Sequence, residues 1–414
     1  MNISVEVWLW ILMVMTPFNP KSNEILNLCG GNAVEAAKLI RDGNCSLLSE
    51  SEKQSAQRIR SGDVRRVIDT CAANDIRIVT LDSEEYPLRL KAIHNPPIVL
   101  FVRGSLEGLN DEIPIAVVGT RRPAEYSVRV TKLIVSELAK LGTVIVSGCA
   151  VGLDAAAHRA CVESGGKTIA VLGCGILVDY PAENAQLKKD ILASGGALIS
   201  ELLPYTRTFG AYFQHRNRIL SGLSSGTLII EASAHSGCLL TAEHTIEQGR
   251  DLFCVPPHDI TDARYAGVMP LLRDGAIPVF SYIDIVNEYI YGFLRTSGYD
   301  GLLTGVNSGM KLRDEGELPK KKRKPSEKPS EPAEEAASPE SSEQREMPDE
   351  SVFASMDPVE ACVFRLICES PADIDEVILK SSMSHIDVTT ALTDLEIIGL
   401  ISRRMDGKYE TSCR

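Results

Sequence analysis

The spacing of hydrophobic positions divides this chain into four stretches. Over residues 1–70, apolar side chains recur at helical intervals. Leu26, Leu28, Val34, Ala37, Leu39 and Ile40 carry the pattern and Gly30–Gly31 breaks it, which predicts a small helical module. Over 71–290, short β-branched runs alternate with helical patterns. Strands are expected at 76–81, 115–119, 143–148, 168–173, 197–202, 227–232, 251–256 and 277–280. A short helix, a Pro–Pro turn and one more strand are expected between 86 and 104. This alternation predicts an α/β fold: a Rossmann-like, doubly wound, mostly parallel sheet with right-handed crossovers. Ligands of such sheets bind at the carboxyl ends of the strands, where the Gly-rich turns of this chain fall. Residues 291–350 lose apolar periodicity and fill with Pro, Ser, Glu and Lys, as a disordered linker does. Over 351–414, helical patterns at 359–368, 373–380 and 384–398 precede an Asp406–Gly407 hairpin signal, together predicting a winged helix.

Charge and composition narrow the picture. A net charge of −13 argues against a surface coated for indiscriminate duplex binding, yet leaves room for a local basic groove. Over 355–414, six Lys/Arg stand against eleven Asp/Glu, so the winged helix suits a protein contact at least as well as duplex DNA. The Lys320–Lys324 run reads as solvated charge within the linker. Eleven cysteines, an odd number without any CxxC, read as reduced thiols of a cytoplasmic protein rather than a disulfide framework or zinc site. The apolar stretch Val7–Met15 is too short to cross a bilayer. It follows Glu6 rather than a basic segment, so neither a membrane span nor a signal peptide is expected.

Candidate chemistry gathers at the Gly-rich turns. In VIVSGCAVGLDAAAHRA (144–160), a β-branched run ends in a turn containing Gly148 and a helix opens behind it. Such a turn aims unpaired N–H groups and a helix dipole at one spot, which suits a phosphate or another anion. In GTRRP (119–123), Arg121 presents a bidentate fork for a phosphate. In EASAHSGCLLTAE (231–243), Ser236 and Gly237 lead into another helix. In FGAYFQHRNRILSGLSSG (209–226), Phe213 precedes Arg216, Asn217 and Arg218. Either a base stacks on the ring while an Arg pairs with phosphate, or the ring is core and an Arg is an internal strut. Spacing alone leaves those two readings even. Asp154 and His158 read as a helix-start carboxylate and a packed imidazole, and Glu231 and Glu243 as structural. There is no GxGxxG with an acidic ribose ligand, no GxxxxGK[ST] loop, no metal-ligand spacing and no Ser–His–Asp set. No cofactor, metal or catalytic residue is therefore expected.

The succession GTRRP, SGCAVGLDAAAH, GGKTIAVLGCG, YPAEN, SELLP, FQHRNRILSGLSSG and EASAHSGCLLTAEHTIEQGRDLFCVP resembles the DprA/Smf family of DNA-processing proteins over residues 76–285. The resemblance implies a Rossmann-like domain that binds single-stranded DNA without nucleotide hydrolysis and forms a homodimer. It implies a role in natural transformation, protecting incoming strands and helping to load the RecA recombinase. It also implies a DNA pocket of Arg121, Gly148, Phe213, Arg216, Asn217 and Arg218, with Ser236 and Gly237 at the rim and Lys167 as a further cation. A helical module of sterile-alpha-motif or helix-hairpin-helix type and a C-terminal winged helix recur in that family. The alternative is a nucleoside-monophosphate phosphoribohydrolase on a similar core, whose PGGxGTxxE stretch has no counterpart in EASAHSGCLLTAE.

Overall fold

The computed structural model describes residues 5–290, 358–381 and shorter stretches between 383 and 411. They belong to two units, one within Met1–Pro319 and one within Lys320–Arg414. The first unit begins with helices α1 (Val5–Met15), α2 (Lys21–Leu28), α3 (Ala33–Arg41), α4 (Glu50–Arg58) and α5 (Ser61–Ala73). Local signals fix their starts: Asn32 caps α3 through the Val34 and Glu35 amides, and Ser49 with Glu52 forms a capping box on α4. The uniform hydrophobicity of α1 has a packing cause. The helix is central, touching α2 to α5, and Trp8, Leu9, Ile11 and Leu12 are at most 1% exposed. Among the described residues no helix is long and apolar enough to cross a membrane.

After α5 the chain forms β1 (Arg77–Thr80), α6 (Leu88–Lys91), β2 (Val99–Gly104) and β3 (Pro114–Val118). Alternation then sets in: α7 (Glu125–Lys140), β4 (Val144–Ser147), α8 (Leu153–Glu163), β5 (Thr168–Val171), α9 (Ala185–Ala193) and β6 (Ala197–Ser200). It continues with α10 (Gly210–Leu223), β7 (Gly226–Ile229), α11 (Leu239–Glu247), β8 (Asp251–Cys254), α12 (Val268–Arg273), β9 (Ile277–Pro278) and α13 (Tyr282–Glu288). All nine strands join one sheet in the order β1-β2-β6-β5-β4-β3-β7-β8-β9. The seven from β6 to β9 are parallel, whereas β1 and β2 extend the sheet antiparallel from β6. Period-two burial splits the sheet's side chains between two helix layers. Ile145 faces α7 and α8, while Val144 and Val146 face the layer containing Leu220 and Leu223 of α10.

Two findings differ from the sequence expectation. First, the helical module is not set apart from the sheet: Trp8 and Leu12 share one core with Val99 and Phe101 of β2 and with Leu172. The change of pattern near residue 70 is thus not a gap in packing. Second, the strands end earlier than their apolar runs. β7 stops pairing at Ile229, yet Ile230 and Ala232 stay fully buried. The run stays beside β3 past the regular register: Ile230 N donates to the Val118 carbonyl at 3.4 Å and Thr120 N to the Glu231 carbonyl at 3.0 Å.

The second unit contains α14 (Pro358–Glu369), α15 (Ile374–Ser381) and an antiparallel pair, β10 (Ile401–Arg403) with β11 (Tyr409–Thr411). Val363, Ile367, Val377, Leu392 and Ile401 form its core, and Ala372 bridges to Tyr409. This is winged-helix architecture. The linker 291–350, most of the expected helix 384–398 and the Asp406–Gly407 turn lie outside the described residues.

The order of strands reverses at β3, whose neighbours are β4 and β7. Chain departs from the two sides of β3 in opposite directions, opening a crevice at the carboxyl ends. Gly152 closes the floor of that crevice. Its φ is +89°, and a Cβ there would lie 2.7 Å from Arg121 Cα, with the Thr120 carbonyl closer still. Leu153 N donates to that same carbonyl at 3.2 Å, joining the turns after β3 and β4. Gly152→Ala should therefore cost about 1–3 kcal/mol or more. In urea unfolding the midpoint should fall while the slope stays unchanged.

Candidate nucleic-acid interface

A cavity of about 670 Å³ occupies the crevice, lined by the connections after β3, β4, β5 and β7 and by the start of α10. Helix starts converge on this edge, and they differ in what meets their amides. Glu231, 1% exposed, accepts from Ala124 N at 2.9 Å and so covers the start of α7. Asp154, 6% exposed, lines the cavity in the first turn of α8 and accepts from Ala150 N at 3.4 Å. The anion held by the turn 147–154 is thus the protein's own carboxylate. None of α7, α8, α10 and α11 is capped by the side chain of its own N-cap residue; those of α10 and α11, Phe209 and Cys238, line the cavity. Tyr212, Leu239 and Thr241 donate their amides to the Phe209, Ser236 and Cys238 carbonyls, each at 3.0 Å, so the remaining first amides, those of Gly210, Ala211 and Leu240, are the donors suited to an external anion.

Arg216 anchors the floor. It is 5% exposed and donates through Nη1 to the Gly148 carbonyl at 2.8 Å and to the Val171 carbonyl, while Nε reaches Asn217 Oδ1 at 3.3 Å. The ends of β4 and β5 are thereby tied to α10. Gly148 lacks a Cβ because the guanidinium fills that space. Burial pushes the Arg216 guanidinium down from its ordinary value and the Asp154 carboxyl up, and each charge opposes the other's shift. Asn217 extends the tie, donating to the Gly237 carbonyl at 3.2 Å.

The mouth combines a cation with rings. Arg121 is exposed, and its guanidinium carbon lies 5.4 Å from the centroid of Phe213, a cation–π contact. Phe213 is half-buried because its ring rests on Gly173, where a Cβ would come within 2.5 Å. Tyr180 flanks it at 5.6 Å between centroids.

Six of the residues expected in the pocket do line one cavity: Arg121, Phe213, Arg216, Asn217, Ser236 and Gly237. Gly148 supports it from beneath through Arg216. Two expectations need correction. Arg218 lies outside the cavity: five positions along α10 turn its face about 140° from that of Phe213, and it pairs with buried Glu201 through two bonds of 2.8 Å. Lys167 precedes β5 and so sits at the amino edge of the sheet, opposite the cavity, 3.5 Å from Glu112. The even choice at RNR thus divides by position, with Arg216 and Arg218 both serving as struts and Phe213 facing the cavity. Tyr180, Phe209 and Asn184 were not singled out in the sequence. Asn184 donates to the Cys149 and Ala150 carbonyls, both at 3.0 Å, and the YPAEN motif was the signal for it.

His158 is fully buried. Its Nδ1 lies 2.7 Å from Thr168 Oγ1, and that hydroxyl donates to the Ile145 carbonyl, so Nδ1–H is the donor between them. Burial, with Arg216 adding to it, pushes the imidazole down to about 3.

Fold and site together define a doubly wound α/β protein with a crevice at the switch point of its sheet. Residues 77–290 match the family model of DNA recombination-mediator protein A, and 328–407 match the DprA winged helix domain. The chain belongs to the DNA recombination-mediator protein A family, also called DprA/Smf. It is 38% identical to DNA processing protein DprA of Bacillus subtilis over 54% of this chain and 74% of that one. It is 31% identical to protein Smf of Synechocystis over 81% and 80% of the two chains. The crystal structure of DNA processing protein A from Streptococcus pneumoniae superposes with a TM-score of 0.61 at 29% identity, covering 70% of this chain and 99% of that one.

Two outcomes follow for the struts. Arg218→Met should lower stability by about 3–5 kcal/mol, because it strands a buried carboxylate, and adding Glu201→Leu should restore most of the loss. Thermal melts of the two variants check this. For His158, the unfolded chain takes up a proton below pH 6.5 that the folded chain refuses until about 3. Stability should therefore fall as pH drops through that window, by up to about 1.4 kcal/mol per pH unit. His158→Gln should flatten the curve between pH 6.5 and 4.5, and parallel curves would contradict the assignment.

Proposed function

We propose that the crevice holds the sugar–phosphate chain of unpaired DNA and that the protein is a single-stranded DNA-binding recombination mediator without catalytic turnover. The observation that carries this reading is the exposed Arg121 guanidinium set against the Phe213 ring at the cavity mouth. A guanidinium takes a phosphate and a ring face takes a base, and neither demands a particular sequence. The uncapped starts of α10 and α11 supply further backbone donors. Family membership supports the same reading. Within it, the protein protects incoming strands and helps to load RecA during natural transformation, acting as a homodimer in the cytoplasm. The acidic winged helix then serves a protein contact rather than the duplex.

Fluorescence anisotropy with labelled oligo-dT tests the reading. Binding should weaken with salt, with a log–log slope of roughly −0.7 per phosphate neutralised. Arg121→Ala should weaken every sequence alike and reduce the slope by about 0.7. Phe213→Ala should cost about 1–3 kcal/mol. An altered sequence preference at unchanged affinity for Arg121→Ala would reject the pocket. Release of adenine from AMP would favour the hydrolase alternative instead.

A further inference from the structure

Beyond the cavity, the surface continues in a direction the phosphate pocket does not use. Between Glu201 and Glu231 the chain holds no acidic residue, although its net charge is −13. The first half of that stretch leads over the start of α10 and presents rings to solvent. Tyr205 is 66% exposed and Phe209 64%. Phe209 both lines the cavity and touches Tyr212, edge to face, at 5.6 Å between centroids. Tyr212 in turn lies 5.6 Å from Phe18 of the α1–α2 loop, and Phe18 stacks on His215 at 5.1 Å. Phe18 is held firmly: its amide donates to Glu201, Asn95 donates to its carbonyl, and Arg218 lies over its ring at 5.6 Å. Arg207, between the two exposed rings in sequence, is itself exposed and has no ion-pair partner among the described residues.

A solvent-facing ring costs hydration free energy unless something covers it, and these rings adjoin the mouth of an anion cavity beside an unpaired cation. The occupant with matching chemistry is a continuing single strand, whose bases stack on ring faces and whose phosphates meet the cation. We propose that an unpaired strand leaving the cavity passes over the start of α10, stacking bases on Phe209 and Tyr212 with Arg207 on its backbone, towards the α1–α2 loop. Phe18 acts as a positioning residue that props Tyr212 from behind. The path makes the helical module a wall of the strand's route. It rests on the reading of the crevice given above.

The test compares three labelled oligonucleotides by anisotropy: oligo-dT of about five nucleotides, oligo-dT of about twenty, and a long one with abasic sites outside its centre. The wild type should bind the long oligo-dT about tenfold more tightly than the abasic one, the effect of a base stacked on a ring. Phe209→Ala and Arg207→Ala are surface changes that leave the fold intact. Phe209→Ala should narrow the difference between those two long strands and be rescued by Phe209→Trp, while Tyr212→Ala, whose ring lies outside the cavity lining, should narrow it too and leave affinity for the short oligo-dT unchanged. Arg207→Ala should weaken both long strands equally. Tight binding of the short oligo-dT with no discrimination by the wild type between the long strands overturns the path and leaves the crevice standing. Absence of any binding, even to the short oligo-dT, overturns both. A change in molecular mass by light scattering for Phe209→Ala, with DNA binding unaltered, would assign the rings to a protein contact and overturn the path.

Discussion

A single buried guanidinium organises the carboxyl edge of the sheet. Arg216 bonds the ends of β4 and β5 from a helix that follows β6, so three separate connections share one anchor. An arginine can do this because its planar fork reaches two carbonyls at once and keeps its charge even when desolvated. The desolvation is offset by Asp154, which meets the same cavity from α8. With α10 fixed in this way, Phe213 lands on Gly173 and Arg121 lands on Phe213. The order of contacts runs from strut to ring to surface cation, and the binding surface is the last layer of that stack.

The same edge accounts for how a chain of net charge −13 can present the proposed site for a polyanion. Charge is arranged by helix start rather than by residue count. Ahead of α7 and α8 the protein supplies its own carboxylates, Glu231 to the Ala124 amide and Asp154 to the Ala150 amide. At α10 and α11 it supplies none, and the amides there that do not already meet a backbone carbonyl face the cavity with Arg121. Asp154, set against Arg216, is the one acidic residue among the described residues of the cavity lining, and short-range donors dominate there because screening in water weakens the distant charges.

The fold was legible in the sequence wherever periodicity and turn chemistry agreed. The parallel strands, the helices between them and the Gly-rich edge were all read from β-branched runs ending in small residues. Strand ends were overrun, as at Ile230, because an apolar run reports burial and not ladder bonding. The antiparallel extension by β1 and β2 carried no signal in its own segment, since pairing depends on which edge is left open. In the site, the placement of Arg121 beside glycines marks it in the sequence, whereas spacing leaves Phe213 even between a base platform and a core ring. Arg216 and Arg218 were not separable from one another, because two positions along a helix turn them to different faces and only packing decides which face is wet. Lys167 was misplaced for a simpler reason: a residue before a strand lies at its amino end, across the sheet from the crevice. Glu201, the partner of Arg218, sits in a buried apolar run that hid its role.

Amide hydrogen exchange with and without oligo-dT tests the central claim most directly, since the claim concerns which backbone donors are free to meet phosphate. The account predicts new protection at the starts of α10 and α11, over residues 209–213 and 237–241, with little change at Ala150, whose amide already meets Asp154. Protection confined to the winged helix, or appearing at 150–155 while α10 and α11 stay unchanged, would contradict it.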